Sequence, residues 1–226
     1  ADAALEAGDV ERAERLYRQA LAATIDYVQL KTLRDRLASL GKNVDLRIRA
    51  GVPGNWHIAG PFAGHEMTGF DRAYPPETNV DLAGEYEGDS GPIRWQAVTS
   101  DADGKVDLNG ILGVSSDTVA YAYSEIEVPE ALEAELRAGA DDNLVIWLNG
   151  RRVFAFPHYH QHFRPDRHRV SVRLSAGTNA LLLKVCQSPT PPDQRRPNNW
   201  EFLLRVVDTE GRPLEFADPT SPAESR

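Results

Sequence analysis

The pattern of apolar and polar positions divides this chain into a helical beginning and a β-rich remainder. Apolar residues recur at spacings of three and four over residues 3–21 and 25–40, which predicts two amphipathic helices. Asp9 is placed to cap a fresh start within the first helix, and Gly41 is typical of a helix end. The predicted apolar face of the second helix consists of Ile25, Val28, Leu30, Leu33, Leu37 and Leu40.

From residue 51 onward, short apolar or alternating segments predict strands. The predicted strands cover residues 56–62, 93–99, 106–108, 119–128, 130–138, 144–148, 153–156, 168–174, 180–186 and 200–207. Segment 130–138 is rich in Glu, Ala and Leu, but strict alternation favours a strand over a helix. Residues 63–92 carry many Gly, Pro, Asp and Glu without a period, which predicts a long loop.

These elements predict a mostly β fold, a jelly-roll β-sandwich preceded by an α-helical hairpin. The predicted boundaries are residues 1–50 for the hairpin, 51–216 for the sandwich and 217–226 for a disordered tail. The strongest local signal is Asn149-Gly150, because both positions of a type I′ turn need a positive φ. We therefore expect the chain to fold back on itself after Leu148.

Charge and cysteine content exclude several function classes. The formal net charge is −9, so net repulsion opposes nucleic acid or an anionic membrane as the main partner. The sequence has no apolar run of the ~20 residues that span a bilayer, so we expect no membrane insertion. Cys186 is the only cysteine, which excludes an internal disulfide and a cysteine-based zinc site. Residues 151–173 carry six Arg, four His and one Asp, either a local anion-binding face or merely a solvated surface.

Two stretches resemble known families. The segment Ala-Asp-Asp-Asn-Leu-Val-Ile-Trp-Leu-Asn-Gly-Arg-Arg-Val over 140–153, with the Ala-Gly-x-Asn turn ending at Asn179, resembles the galactose-binding-domain-like jelly rolls. Those domains include sugar-binding domains of glycoside hydrolases and carbohydrate-binding modules of large bacterial surface proteins. Residues 7–21 resemble the first helix of a tetratricopeptide repeat. One such helix pair must pack on the sandwich or end an upstream array, and we favour the array or an independent hairpin.

The jelly-roll resemblance implies a glycan or polysaccharide ligand. A sugar site needs aromatic faces and polar groups that fix hydroxyls. The predicted ligand-binding residues are Tyr74, Tyr86, Tyr159, Arg164, Arg195, Arg196, Asn198 and Asn199, with Phe70 as a further aromatic. The alternative is that these aromatics plug the ends of the sandwich, while Trp56, Trp95, Trp147 and Trp200 are assigned to its core.

Two metal sites are also predicted. The resemblance implies a structural calcium, and its paired aspartates look like those of PA14-type adhesin domains, where such a pair holds calcium at the sugar site. The predicted calcium ligands are Asp141 and Asp142, or Asp71, Glu77 and Asp81 from the long loop. In an extended strand, His158, His160 and His162 would share one face and could hold a transition metal. Solvated side chains are the alternative for both sets.

No catalytic motif is recognised in the sequence, which predicts a protein that is not an enzyme. The first functional hypothesis is a non-catalytic carbohydrate-binding module of a larger secreted, periplasmic or cell-envelope protein. The second is a structural or protein-docking domain that contacts other domains of the same parent protein and has no sugar ligand. An exposed aromatic platform would favour the first, and an apolar patch beside the helices would favour the second.

Overall fold

A computed structural model describes residues 1–88, 91–113, 116–190 and 199–216 of the chain. The predicted tail at 217–226 lies outside these residues. The described helices are α1 (Asp2–Glu6), α2 (Val10–Ala23), α3 (Tyr27–Ser39), α4 (Arg47–Ala50) and α5 (Leu108–Leu112). None of them is long and apolar enough to cross a membrane.

The strands form two main antiparallel sheets. Their bounds are β1 (Asn55–Ala63), β2 (Glu85–Tyr86), β3 (Ile93–Arg94), β4 (Gln96–Thr99), β5 (Val106–Asp107), β6 (Thr118–Val128), β7 (Leu132–Asp141), β8 (Asn143–Leu148), β9 (Arg151–Phe156), β10 (His168–Leu174), β11 (Gly177–Gln187) and β12 (Glu201–Val207). The six-stranded sheet has the order β4-β1-β6-β11-β8-β9, and the four-stranded sheet has the order β10-β7-β12-β5. Strands β2 and β3 form a small separate pair.

The main core lies between the two sheets and is built by alternate residues of the strands. Leu181, Leu183 and Val185 of β11 face inward, as do Phe202 and its alternate neighbours on β12. Phe202 meets Trp56 of β1 edge-on, with 5.0 Å between the ring centroids. This arrangement confirms the predicted mostly β sandwich preceded by helices. Of the predicted strand 130–138, residues 132–138 lie in β7.

The helical segment packs on the outer face of the four-stranded sheet. Leu203 of β12 joins the buried cluster of α2, α3 and α4. Arg205 is fully buried, and its guanidinium donates to the carbonyls of Ala50 (2.8 Å) and Ile25 (3.1 Å) and pairs with Asp166. Of the two placements considered for the helices, contact with the sandwich is therefore observed. The tetratricopeptide-like character of the pair stays a prediction.

The ends of the helices match the expected pattern, but two apolar positions do not. Asp9 caps α2 by accepting the Arg12 N–H, and Gly41 has φ of 75° just after α3, as expected. Ile25 and Val28, in contrast, are 39% and 60% exposed, although they were assigned to the apolar face. The sandwich contacts α3 through Tyr27, Leu30 and Leu37, a stripe narrower than the apolar pattern.

The long loop after β1 covers the outer face of the six-stranded sheet. Lys184 of β11 is buried there, and its ammonium group donates to the carbonyls of Phe70 (3.0 Å) and Arg72 (2.6 Å) and to Glu77 (2.8 Å). Tyr121 of β6 also donates to the Glu77 carboxylate. The helices thus cover one outer face of the sandwich and the long loop covers the other. Each face has one buried cationic side chain from an inner strand, Arg205 or Lys184.

Candidate functional site

Three consecutive polar residues are buried where β7 passes into β8. Asp141 ends β7 and Asn143 begins β8, and the peptide bond between Asp141 and Asp142 is cis. The exposed fractions of Asp141, Asp142 and Asn143 are 5%, 2% and 0%. Aspartate is almost never this buried unless a partner compensates its charge. The surroundings of these three residues must therefore account for the burial of two carboxyl groups and an amide at this end of the sandwich.

The carboxyl groups of Asp141 and Asp142 are in hydrogen-bonding contact. Burial, followed by the charge and the hydrogen bond of Asp142, raises the pKa of Asp141 to about 7, with a smaller contribution from Glu201. Glu201 pairs with Asp141 across the strands and is itself bonded to Lys105 at 2.6 Å. No cationic side chain among the described residues forms an ion pair with Asp141 or Asp142, so burial and the neighbouring carboxyl group dominate the pKa of Asp141.

Backbone amides from two other segments hold the pair in place. The Asp142 carboxylate accepts the N–H of Gln161 at 2.7 Å and the N–H of Ser188 at 2.8 Å. The loop between β9 and β10 and the end of β11 therefore converge on the Asp142 carboxylate.

Gly139 of β7 allows this loop to lie close to the strand. A Cβ atom at this position would stand 2.0 Å from the carbonyl oxygen of Arg164. No side chain fits in that space, so the contact requires glycine. Arg164 lies three residues after Gln161, so this close approach also positions the loop whose amide reaches Asp142.

Asn143 is buried without a hydrogen-bond partner. Neither its amide oxygen nor its amide nitrogen meets a donor or acceptor in the described part of the chain. Leaving such a group unsatisfied costs about 1–3 kcal/mol, and buried polar groups almost always find a partner, water or an ion. The Asn143 side chain therefore has hydrogen-bonding capacity that no described residue of the chain uses.

The donor set fits a hard cation. Two carboxylates and an amide carbonyl are oxygen ligands of the kind that Ca²⁺ prefers, and a cation would supply the countercharge that Asp141 and Asp142 lack. Asn143 was not among the predicted ligands, because an asparagine after two aspartates also reads as a turn. Its burial, which the sequence does not encode locally, distinguishes it.

The other predicted metal ligands do not come together. Across residues 1–88, 91–113, 116–190 and 199–216, no three His, Cys, Asp or Glu side chains are arranged to hold a metal ion. His158, His160 and His162 are exposed, and β9 ends at Phe156, before them. His160 has φ of 58°, so the strand alternation that would align three imidazoles is absent. The extended strand on which the three-histidine site was predicted is therefore not observed, and as metal ligands these residues stay a prediction.

The calcium alternative in the long loop is also not assembled. Asp71 and Asp81 are exposed, and Glu77 is bound to Lys184 and Tyr121. Glu77 therefore serves the packing of the loop on the sheet. The Asp141–Asp142 alternative is the one that the fold places in a buried polar environment.

The predicted sugar-stacking aromatics belong to the covered outer face of the six-stranded sheet. Tyr74 is 8% exposed and donates to the carbonyl of Ala63 at 2.5 Å, while Tyr86 accepts the indole N–H of Trp95 at 2.9 Å. Tyr159 is half-buried against the same cluster. These tyrosines do not form an exposed platform, because the long loop folds onto the sheet. Phe70 is also part of this cluster.

The polar residues predicted for the sugar site have different outcomes. Arg164 and Asn199 are exposed. Arg195, Arg196 and Asn198 lie outside the described residues. As ligand-binding residues, all five stay predictions.

A pocket that the sequence did not reveal lies on the outer face of the six-stranded sheet. It encloses about 270 Å³ and is lined by Tyr123, Trp147, Leu182 and the loop from Pro76 to Val80. Trp147 was assigned to the core, but it is only partly buried and lines this pocket. The alternation of β8 places it outward, a signal that was present in the sequence.

Several solved structures are similar to parts of this chain. A PA14 sugar-binding domain from an RTX adhesin is 18% identical over 46% of this chain and 52% of its own, with a TM-score of 0.31. A β-glucosidase from Kluyveromyces marxianus in complex with glucose is 12% identical over 70% of this chain and 17% of its own, with a TM-score of 0.42. A β-galacturonidase from Eisenbergiella tayi is 11% identical over 70% and 23%, with a TM-score of 0.37.

No family model and no curated protein matches the chain. The chain spans about half the length of the first of these structures and less than a quarter of the other two. Likenesses this distant carry no function to it. The chain's own site residues decide what can be proposed.

Proposed function

We propose that this chain is a non-catalytic carbohydrate-binding domain whose ligand site is built on calcium held by Asp141, Asp142 and Asn143. One observation carries the proposal: the Asn143 amide is fully buried without a partner beside two buried carboxylates that lack a countercharge. A bound cation would satisfy both deficits with the same three side chains.

Coordination number links calcium to a sugar. Calcium takes about 6–8 oxygen ligands, and two carboxylates plus one amide carbonyl supply at most about five. The remaining positions are open to backbone carbonyls, water or the hydroxyl groups of a ligand. Neighbouring hydroxyls of a sugar ring are suited to this role because they present two oxygens from one rigid ring.

The contact between the carboxyl groups favours binding over hydrolysis. Glycosidases keep their two catalytic carboxyl groups about 5 Å or more apart, because the glycosidic bond or a water lies between them. Asp141 and Asp142 are in direct hydrogen-bonding contact.

The test is a calcium titration by calorimetry, followed by a screen of neutral, uronic and sulfated polysaccharides in calcium and in chelator. We expect one calcium ion per chain and retention by one polymer class that chelator abolishes. Asp142→Asn and Asn143→Leu should lose both properties, whereas Asp71→Asn, a matched change at an exposed aspartate, should keep both. Failure of the wild-type chain to bind calcium at millimolar concentration would refute the calcium site, and the absence of retention by every polymer would refute the sugar ligand.

We propose that the parent protein is secreted or belongs to the cell envelope. A site of two carboxylates and one amide suits the millimolar calcium found outside cells better than the low level inside them. Fractionation of cells that express the native gene tests this proposal. A cytosolic location would contradict it.

A docking domain is the second candidate, and the helical segment supplies the observation in its favour. Ile48 of α4 is 81% exposed and Val28 of α3 is 60% exposed. Large apolar side chains this exposed often mark contact surfaces. Ile48→Glu should weaken binding to a neighbouring domain of the parent protein in a mixing experiment, and unchanged binding would exclude this surface.

A further inference from the structure

The open side of the sandwich contains a second groove, whose lining includes none of the three site residues. It lies between β9 and β10, which are the edge strands of the six-stranded and four-stranded sheets. The groove encloses about 520 Å³, within the usual range of about 300–1,000 Å³ for ligand pockets. His168 stacks on Phe154 and Phe156 further along these strands, with ring centroids 4.8 Å and 4.3 Å apart. The aromatic contacts close the space between the strands on that side and leave the groove open at the start of β9.

A β-bulge shapes the floor of this groove. The pairing of β8 with β9 shifts between Ile146 and Trp147, so that Val153 has no partner of its own. Both Val153 and Phe154 consequently pack against the main core. Bulges re-aim side chains in this way and are common beside binding sites. The groove therefore has an apolar floor, formed by Leu148, Val153 and Val172.

The rim of the groove is basic. Arg151, Arg152 and Arg173 line it, with Glu133 as the acidic member, which gives three positive charges against one negative charge, or +2. Arg173 pairs with Glu133 at 2.6 Å. Arg151 and Arg152 are exposed and have no carboxylate partner among the residues that the structure describes. Two unpaired guanidinium groups thus stand at the mouth of an apolar groove on a chain whose net charge is −9.

We propose that this groove binds a sugar unit that carries a carboxylate or a sulfate group, independently of calcium. The anion would be held at the rim by Arg151 or Arg152, since a guanidinium group can donate two parallel hydrogen bonds to two oxygens of a carboxylate or a sulfate. The apolar face of the sugar ring would rest on Val153 and its neighbours. The proposal deepens the proposed function and relies on it for the sugar class, but its site is a different one.

The dimensions and charge of the groove favour a short anionic ring over a long polyanion. The space suits one or two sugar rings, whereas the net charge of −9 opposes the binding of a nucleic acid. A second explanation for these arginines is that charged side chains on edge strands oppose association between sheets. This second role needs no apolar floor and no adjacent pair of arginines, so binding measurements separate it from ligand binding.

The experiment titrates the folded chain by calorimetry in excess EDTA with digalacturonate, a sulfated disaccharide, neutral galactobiose and inorganic sulfate. We expect one acidic disaccharide to bind at least about tenfold more tightly than the neutral one. Arg151→Gln with Arg152→Gln should weaken that binding about tenfold or more, and added salt should weaken it too. The double change Arg12→Gln with Arg15→Gln, at exposed positions of α2, removes the same charge and should leave the affinity unchanged.

Asp142→Asn separates this inference from the calcium site. The groove should keep its acidic ligand in this variant even when calcium binding is lost. The proposal would be overturned by equal loss of binding in the two double variants, or by binding of galactobiose as tight as that of the acidic sugars. Binding of inorganic sulfate as tight as that of the disaccharide would also overturn it. The same holds for loss of binding in EDTA and for no binding at all. Which acidic disaccharide binds identifies the anion as a carboxylate or a sulfate.

Discussion

Two fully buried asparagines occupy opposite ends of the six-stranded sheet, and they differ in every hydrogen bond. Asn179, at the start of β11, accepts from the Ser175 N–H (2.9 Å) and from the Asn149 amide (3.0 Å). Its own amide donates to the carbonyls of Ser175 (2.8 Å) and Gly177 (3.1 Å). The side-chain amide of Asn143, at the start of β8, has no hydrogen-bond partner among the described residues.

The two side chains are equally buried, so they differ in their hydrogen bonds and not in their exposure to solvent. The Asn179 side chain satisfies the turn that it closes, and the Asn149-Gly150 turn beside it has the positive φ values that a type I′ hairpin needs, 52° and 75°. That end of the sheet is complete in itself. The Asn143 end carries two buried carboxyl groups and an amide without a hydrogen-bond partner among the described residues, which is the end where we propose the calcium site.

The largest expected effect comes from replacing each asparagine by leucine. Asn179→Leu should lower the free energy of unfolding by about 3 kcal/mol or more, because it removes four side-chain hydrogen bonds that hold the turn before β11. Asn143→Leu should change it by less than about 1 kcal/mol in chelator, because it removes two atoms that had no partner. Urea denaturation measures both values. Equal losses would show that the two ends do not differ as the hydrogen bonds indicate.

Calcium should change the stability of one end and not the other. At a calcium concentration about 100 times the dissociation constant, the wild-type chain should gain about 2.7 kcal/mol. Asn179→Leu should retain this gain, because the site residues are intact, whereas Asn143→Leu should lose it. Thermal unfolding with calcium and with chelator measures the gain. A gain of the same size in Asn143→Leu would exclude its amide as a ligand.

Glycine substitutions sharpen the comparison through the backbone. Gly139→Ala should cost about 2 kcal/mol and weaken calcium binding, because the new Cβ collides with the Arg164 carbonyl and displaces the loop. Gly150→Ala, in the turn at φ of 75° with open space around it, should cost only about 1 kcal/mol and leave calcium binding intact. Calorimetric titration of both variants measures this contrast. Full calcium affinity in Gly139→Ala would show that the loop is not needed for the site.

The smallest expected effect is the change in stability and in calcium affinity for each unit of pH. Between the ordinary value of 3.8 and its raised pKa of about 7, Asp141 holds a proton in the folded chain but not in the unfolded chain. Stability in chelator should therefore fall as pH rises from about 4 to about 7 and then level off. Calcium must displace this proton, so its affinity should weaken by up to about tenfold, or 1.4 kcal/mol, for each unit below pH 7.

Asp141→Asn is the control for this titration. The groups that face Asp141 are Asp142 and Glu201, the latter neutralised by Lys105. If both pH dependences persist in Asp141→Asn, one of these other groups is the one that titrates. Denaturation and calorimetry across this pH range provide the readout.

Tertiary packing explains where the sequence reasoning failed. Tyr74 and Tyr86 look like loop aromatics, but Lys184 holds the loop against the sheet and buries them. His158 and His162 look like strand neighbours, but β9 ends before them. Contacts between residues far apart in the chain decided these outcomes, and no periodicity encodes such contacts.

The sequence by itself determined the strands, the turn at Asn149-Gly150 and the restart of α2 at Asp9. Alternation and turn chemistry act within a few residues, so they can be read locally. Only the tertiary structure decided that Asn143 is buried without a partner and that Arg151 and Arg152 stand beside an apolar groove. Burial and partner choice depend on which segments meet in space, and for these residues the segments come from distant parts of the chain.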